Sequence, residues 1–362
     1  MQTFVAALTA TPPPPSWMTW SQFGLVSVGA ALVVAGRMVE VPQLVAVGGS
    51  AFLGGALLLG WIVLRARRQA LHLRHRLPVA LYLAAVVFLL GGGTIGTLLG
   101  AGVVAGERWL GLRAAHIVLN VLGWASVTIA ATLVTLLPTV LRVRMPRWPG
   151  RLTEWLLPAG VGLAALGLAW AVTPVAVAGG LVYLAGVAGL LEMVRRVMSA
   201  PRRWPVPIAG RHLLLALLWF VGGVGWTVVG LSYGAAWLAT GRDLFLVTLG
   251  GGWVLQTLLG AWLYLLPAGR RAHPEKRRRL LSAVEWGGWV QLGALNAGLA
   301  LLALGTAGVV PPLLATLGAV AALFGGGLAL AKAWVHPLLA ETDFFTRHGR
   351  PTWDPDAATP SS

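Results

Sequence analysis

Ten apolar runs, each about 20 residues long and separated by short polar loops, leave this chain almost no choice of fold. They fall near residues 21–39, 43–64, 77–104, 112–141, 153–173, 175–198, 211–239, 243–267, 280–307 and 309–336. As an α-helix, a run of that length crosses a hydrocarbon layer of roughly 30 Å. Lipid offers no partner to a backbone N–H or C=O, so a spanning segment must satisfy its own. The predicted fold class is therefore an all-α integral membrane protein of about ten transmembrane helices. Composition excludes a soluble chain: 57% of the residues are hydrophobic and only 10% charged, against about a quarter charged in an ordinary globular domain.

The net charge of +16 raises the question of nucleic acid, but the Arg residues cluster in loops between apolar runs rather than along one face or tail. No nucleic-acid partner is expected; the partner is the lipid bilayer. Basic clusters follow every even-numbered span: Arg65, Arg67, Arg68, Arg74 and Arg76; Arg142, Arg144, Arg147 and Arg151; Arg195, Arg196, Arg202 and Arg203; and Arg270, Arg271, Lys276, Arg277, Arg278 and Arg279. The other loops carry little beyond Glu107, Arg108, Arg242 and Asp243. Because cytoplasmic loops hold the Lys and Arg, the pattern predicts both termini on the cytoplasmic side. The abundance of Arg, Ala, Gly, Val, Pro and Trp resembles the output of a GC-rich bacterial genome, which points to an inner membrane.

Self-similarity divides the chain further. Gly123-Trp124, Thr128, Leu136-Leu137-Pro138 and Arg142 match Gly252-Trp253, Thr257, Leu265-Leu266-Pro267 and Arg271 without a gap. Ala159-Gly160, Leu163, Ala165-Leu166-Gly167, Ala169, Val172 and Pro174 match Ala297-Gly298, Leu301, Ala303-Leu304-Gly305, Ala307, Val310 and Pro312. Gly91-Gly92 faintly echoes Gly222-Gly223. The expected organisation is a cytoplasmic tail (1–20), an N-terminal helix pair (21–76), two parallel four-helix repeats (77–203 and 204–336) and a cytoplasmic C-terminal tail (337–362).

Chemistry has few places to sit. With no cysteine, disulfides, thiolate metal sites, iron–sulfur clusters and Cys-linked haem are excluded. Arg37 and Glu40 read as an interfacial pair, and Glu285 and Lys332 as residues that snorkel at a cytoplasmic edge. His72, His75, His212, His273, His336 and His348 lie in loops or at span ends and are expected to be solvated. His116 differs: it lies inside span four, one turn below the end, with Asn120 one turn deeper on the same face. That pair reads either as a hydrogen-bonded structural unit or as a haem or metal ligand with its neighbour. Gln256, Gln291 and Asn296 are buried amides, expected to bind neighbouring helices at about 1 kcal/mol each. Trp109, Trp237 and Trp334 fit an aromatic belt.

The run Gly111-Leu112-Arg113-Ala114-Ala115-His116-Ile117-Val118-Leu119-Asn120-Val121-Leu122-Gly123-Trp124 resembles the second helix of subunit I in haem-copper oxidases, above all the nitric-oxide reductase and cbb3-type branches. It is also similar to NnrS-type membrane proteins and to oxidase-like membrane domains that accompany actinobacterial copper proteins. The resemblance implies a haem or copper at His116, with Arg113 directed at a haem propionate and Asn120 beside the ring, and it suggests a redox partner protein. The family's other His ligands have no counterpart: the repeat aligns His116 with Phe245. The expectation is thus a degenerate oxidase-like protein rather than a self-sufficient oxidase or reductase. The alternative is a small-molecule permease, for which a helix interrupted around Gly91-Gly92-Gly93 would speak, or a structural assembly subunit.

Overall fold

A computed structural model describes residues 2–70, 76–145, 147–148, 150–201, 205–268 and 274–339. Arg74, Arg202, Arg203, Arg270, Arg271, His72, His75, His273 and His348, and the side chains of Lys276, Arg277, Arg278 and His336, lie outside what is described. The described residues contain no strand, and ten of their helices are long and apolar enough to cross a membrane. This is a multi-pass, all-helical membrane protein. Large apolar side chains such as Trp20, Val28, Leu323 and Phe324 project outward, as suits helices whose solvent is lipid.

In chain order a short helix α1 (Gln2–Thr9) precedes α2 (Ser16–Met38), α3 (Pro42–Gln69) and α4 (Arg76–Gly100). The fourth span consists of α5 (Arg108–Val118), a π-helical stretch (Leu119–Ser126) and α6 (Val127–Val140). Then come α7 (Arg151–Ala169), α8 (Thr173–Ser199) and α9 (Ile208–Leu231). The eighth span is α10 (Trp237–Phe245), a second π-helical stretch (Leu246–Leu255) and α11 (Gln256–Ala268). Last are α12 (Pro274–Glu285), α13 (Gly288–Thr306) and α14 (Pro312–Leu339). Two compact units emerge. One comprises Met1–Val134, Arg147–Val194 and Gly225–Thr240; the other comprises Thr135–Pro146, Arg195–Val224 and Gly241–Ser362.

In the first unit, residues 1–20 are more than a tail. Helix α1 packs on α3, burying Val5 and Thr9, and Phe4 meets Tyr82 edge-on at 6.5 Å. The proline run at 12–15 ends α1 because it supplies no N–H, and α2 begins right after it. Glu40 occupies the α2–α3 turn at φ 54°. The helix has already ended at Met38, so Glu40 is not one turn from Arg37 and the two form no ion pair. Helix α4 runs unbroken through Gly91-Gly92-Gly93, so the expected interruption there does not exist. The real break lies in the second unit, where Trp286 and Gly287 separate α12 from α13 and Gly287 takes φ 59°.

The two units reuse one helix-pair geometry. A Cβ built on Gly160 would lie 2.5 Å from the Tyr183 backbone nitrogen, and one on Gly298 would overlap the Ala322 nitrogen. Gly167 and Gly179 of the first unit press on Ala176 and Ala164, as Gly305 and Gly318 of the second press on Ala315 and Leu302. The step is constant: 138 residues on the leading helix (Gly160 to Gly298) and 139 on the trailing one (Gly179 to Gly318). With no methyl between them, the backbones meet directly, which is how helices gain packing energy where lipid is as apolar as the core.

The π stretches recur as well. They end at Ser126 and Leu255, the same step as Gly123 to Gly252. In each, a polar side chain near the start takes the carbonyl four residues back: Asn120 Nδ2 donates to His116 O, and Thr248 Oγ1 to Leu244 O, both at 2.8 Å. Side chains inserted into the i→i−4 ladder are a known cause of local rewinding.

Candidate functional site

In the first unit, His116 closes the last turn of α5 and faces α4. Its seat is made by two glycines one turn apart. A Cβ on Gly96 would lie 2.7 Å from His116 Nδ1, and one on Gly92 would lie 2.9 Å from Asn120 Cγ. Only hydrogen at those positions leaves room for an imidazole and an amide between the helices. His116 Nδ1 lies 2.7 Å from Gly92 O. A carbonyl can only accept, so Nδ1 carries a proton, and in the neutral ring Nε2 then holds the lone pair. The amide of Asn120 donates to the His116 carbonyl rather than across to α4, and its nitrogen passes 3.2 Å from Nδ1. Arg113, one turn further out, places its guanidinium 5.0 Å from the centre of the Trp109 ring. His116, Arg113 and Asn120 thus share one stretch of helix and are all half-buried.

A cavity of about 430 Å³ lies in the same unit, lined by Glu107, Arg108, Gly111, Trp170, Thr173 and Tyr233 among others. It is not at His116. Gly111 abuts the Leu168 carbonyl of α7, whereas His116 abuts Gly96 of α4. The unit's other interior polar bonds are structural: Tyr82 with Thr132 at 2.8 Å, and the Tyr183 hydroxyl donating to Leu122 O at 3.1 Å.

The second unit collects more polar chemistry than the sequence suggested. At Phe245 and Leu249, the positions that match His116 and Asn120, it is apolar and fully buried; Phe220 stacks on Trp253 at 4.2 Å nearby. Toward the α12–α13 break the character changes. The Lys332 ammonium donates to the Trp286 carbonyl at the break, and the residue is 3% exposed. It therefore does not snorkel. Glu285 accepts the Ile208 N–H with both oxygens, at 2.9 and 3.1 Å, tying the end of α12 to the start of α9.

His212, expected in solvent, is completely buried. Adjacent helical positions point about 100° apart, so Arg211 can lie over Trp289 at 4.1 Å while His212 faces inward. His212 Nε2 lies 3.3 Å from Gln291 Nε2. Gln256 is fully buried too, and neither end of its amide has a partner among the described residues. Asn296 is satisfied: it accepts the Trp219 indole N–H at 2.8 Å and donates to Leu292 O at 2.8 Å. Of the three amides read as interhelical glue, Asn296 bridges α13 to α9, Gln291 meets His212, and Gln256 holds nothing described. Of the belt tryptophans, Trp109 and Trp334 are exposed, but Trp237 is buried against Gly230.

Among the described residues, no three His, Cys, Asp or Glu side chains converge to hold a metal ion. No protein-family model matches the chain, and no curated protein is significantly similar to it.

Proposed function

We propose that this is a bacterial inner-membrane protein with both termini in the cytoplasm, built on the plan of a haem-copper oxidase subunit I that has lost most of its metal ligands, and that it binds one haem through His116 and assists a redox partner. The observation that carries the reading is the tautomer. Histidines that ligate metals donate their other ring N–H to a carbonyl or carboxylate, which orients the ring and raises its basicity. His116 is bonded to Gly92 O in that manner, and in the neutral ring this leaves the Nε2 lone pair available to a metal.

The residues fit a haem better than a copper ion. A haem iron needs only one or two axial nitrogens from protein, while copper sites gather several N or S donors, and none converge here among the described residues. A haem at this position would supply one-electron chemistry. His116 would orient it, and Arg113, released from Trp109, would offer its guanidinium to a propionate. The alternating basic loops support the orientation.

An optical spectrum of the purified protein, oxidised and reduced, from cells supplied with haem precursor and copper tests this directly. A Soret band that disappears in His116→Ala and weakens in Arg113→Ala, with both variants still inserted, is the expected result. A Soret band unchanged in His116→Ala, or none in the wild type, overturns the site.

A second reading, a small-solute permease, is favoured by the broken ninth span with a buried lysine at its break, because discontinuous spanning helices line substrate sites in many transporters. The same spectrum separates the two.

A further inference from the structure

The polar groups of the second unit form layers one helical turn apart. Outermost is the Glu285–Lys332 layer, level with Ile208 and Gly287. One turn further along both α9 and α13 stand His212 and Gln291, and one turn beyond, on the antiparallel α11, stands Gln256. The last step follows from Gly260, whose face abuts Ala209 and His212, since Gln256 is four residues before it on that face. All three inner side chains are fully buried.

Their hydrogen-bonding is incomplete in both senses. His212 Nδ1, Gln291 Oε1, and Gln256 Oε1 and Nε2 lack partners among the described residues. Between them these atoms include donors and acceptors, with no net charge. An ion would satisfy one kind and be repelled by the other. A molecule that both donates and accepts satisfies both, and the smallest is water, which in protein interiors typically makes about three such bonds. Space exists where the layers begin: a cavity of about 40 Å³ is lined by Arg142, Pro205, Pro207, Ala209, Tyr264 and Glu285 among others, and a site needs only some 10–15 Å³ to admit one water.

We propose that this side of the second unit is a solvated inlet, in which ordered water enters past Glu285 and Lys332, bridges His212 to Gln291 and reaches Gln256, and stops at the dry stack of Phe220 on Trp253. The inlet is independent of the haem reading, which rests on the first unit.

Hydroxyl-radical footprinting of the full-length wild-type protein in lipid nanodiscs, in ¹⁸O-labelled water, reads bound water at each side chain. His212 should incorporate label about ten-fold or more faster than Phe220 and Trp253, because water lies against it and not against them. Equal burial and the high reactivity of indole make these two stringent controls. The chain has no cysteine, so Gln256→Cys adds a single reactive thiol one layer deeper, and it should be oxidised at least as fast as His212, the thiol being the more reactive group. A His212 as protected as Trp253 would make the network dry and overturn the proposal. So would a protected thiol at position 256 in a variant whose His212 still labels, because the water would then not extend to Gln256.

Discussion

Adding one methyl group at Gly96 tests whether His116 occupies the groove described for it. In Gly96→Ala the new Cβ would lie 2.7 Å from Nδ1, about 1 Å inside ordinary van der Waals contact. The imidazole must rotate out, and its bond to Gly92 O is lost with it. Overpacking costs about 1–3 kcal/mol and an interhelical hydrogen bond in a membrane about 0.6–1 kcal/mol, while Ala recovers about 1 kcal/mol of helix propensity over Gly. The net loss is about 1–3 kcal/mol. In a His116→Ala background the clash has no partner, so the same methyl should cost nothing or stabilise. The propensity gain is common to both backgrounds and cancels, so a double-mutant cycle by reversible unfolding in mixed micelles should give a coupling of about 2–4 kcal/mol. Additivity within about 0.5 kcal/mol would mean that ring and glycine do not meet, and the tautomer argument would go with it.

Further outcomes bear on topology and packing. A reporter fused after Arg203 or Arg279 should read as cytoplasmic, and one placed beside Glu107 as external; the reverse at either basic loop would refute the orientation. Gly160→Val and Gly298→Val should each block accumulation of folded protein, because the added Cβ meets backbone that cannot move aside. Gly162→Ala and Gly293→Ala, on the same helices but with nothing within 4 Å, should raise the melting temperature or leave it unchanged, since Ala is the better helix former by about 1 kcal/mol. Equal behaviour of the two pairs in a thermal-stability assay would contradict the shared helix-pair geometry.

The spans were legible because lipid imposes a length and a composition that local sequence alone can meet. That His116 and Asn120 share a face was also readable, since i and i+4 always do. The direction of that face was not: it depends on Gly92 and Gly96, twenty-odd residues away, and glycines on a helix look alike until a neighbour fills them. His212 was misread for the opposite reason. Its place at the opening of the seventh span points to solvent, but helical phase separates it from Arg211 beside it, and only packing says which of the two turns inward. Lys332 reads as a snorkelling residue because its acceptor, the Trp286 carbonyl, stands at the break of the ninth span, and a Trp-Gly-Gly sequence in an apolar run does not announce a break. Helix α1 is not legible in a short stretch that runs into four prolines, since eight residues are too few to hold a helix without tertiary contacts, and its contacts come from α3 and from Tyr82 of α4.

The π-helical stretches invert the usual rule about where a chain tolerates a change of length. Each has wider turns than an α-helix, the backbone bonding five residues apart, and so carries roughly one residue more than an α-helix of the same rise would need; in the first, the Ser126 hydroxyl also donates to Val121 O at 2.7 Å. Removing a single residue between Leu119 and Ser126 would let the span close into plain α-helix, at little local cost. A π turn and an α turn each complete a full circle over a similar rise, so the helices on either side of the deletion would keep their facing. His116 would stay on the Gly92–Gly96 seat, and only residues inside the stretch would change face. The middle of the fourth or eighth span can thus lose one residue where an unbroken α-helix could not, because there a deletion turns one half by about 100° against the other.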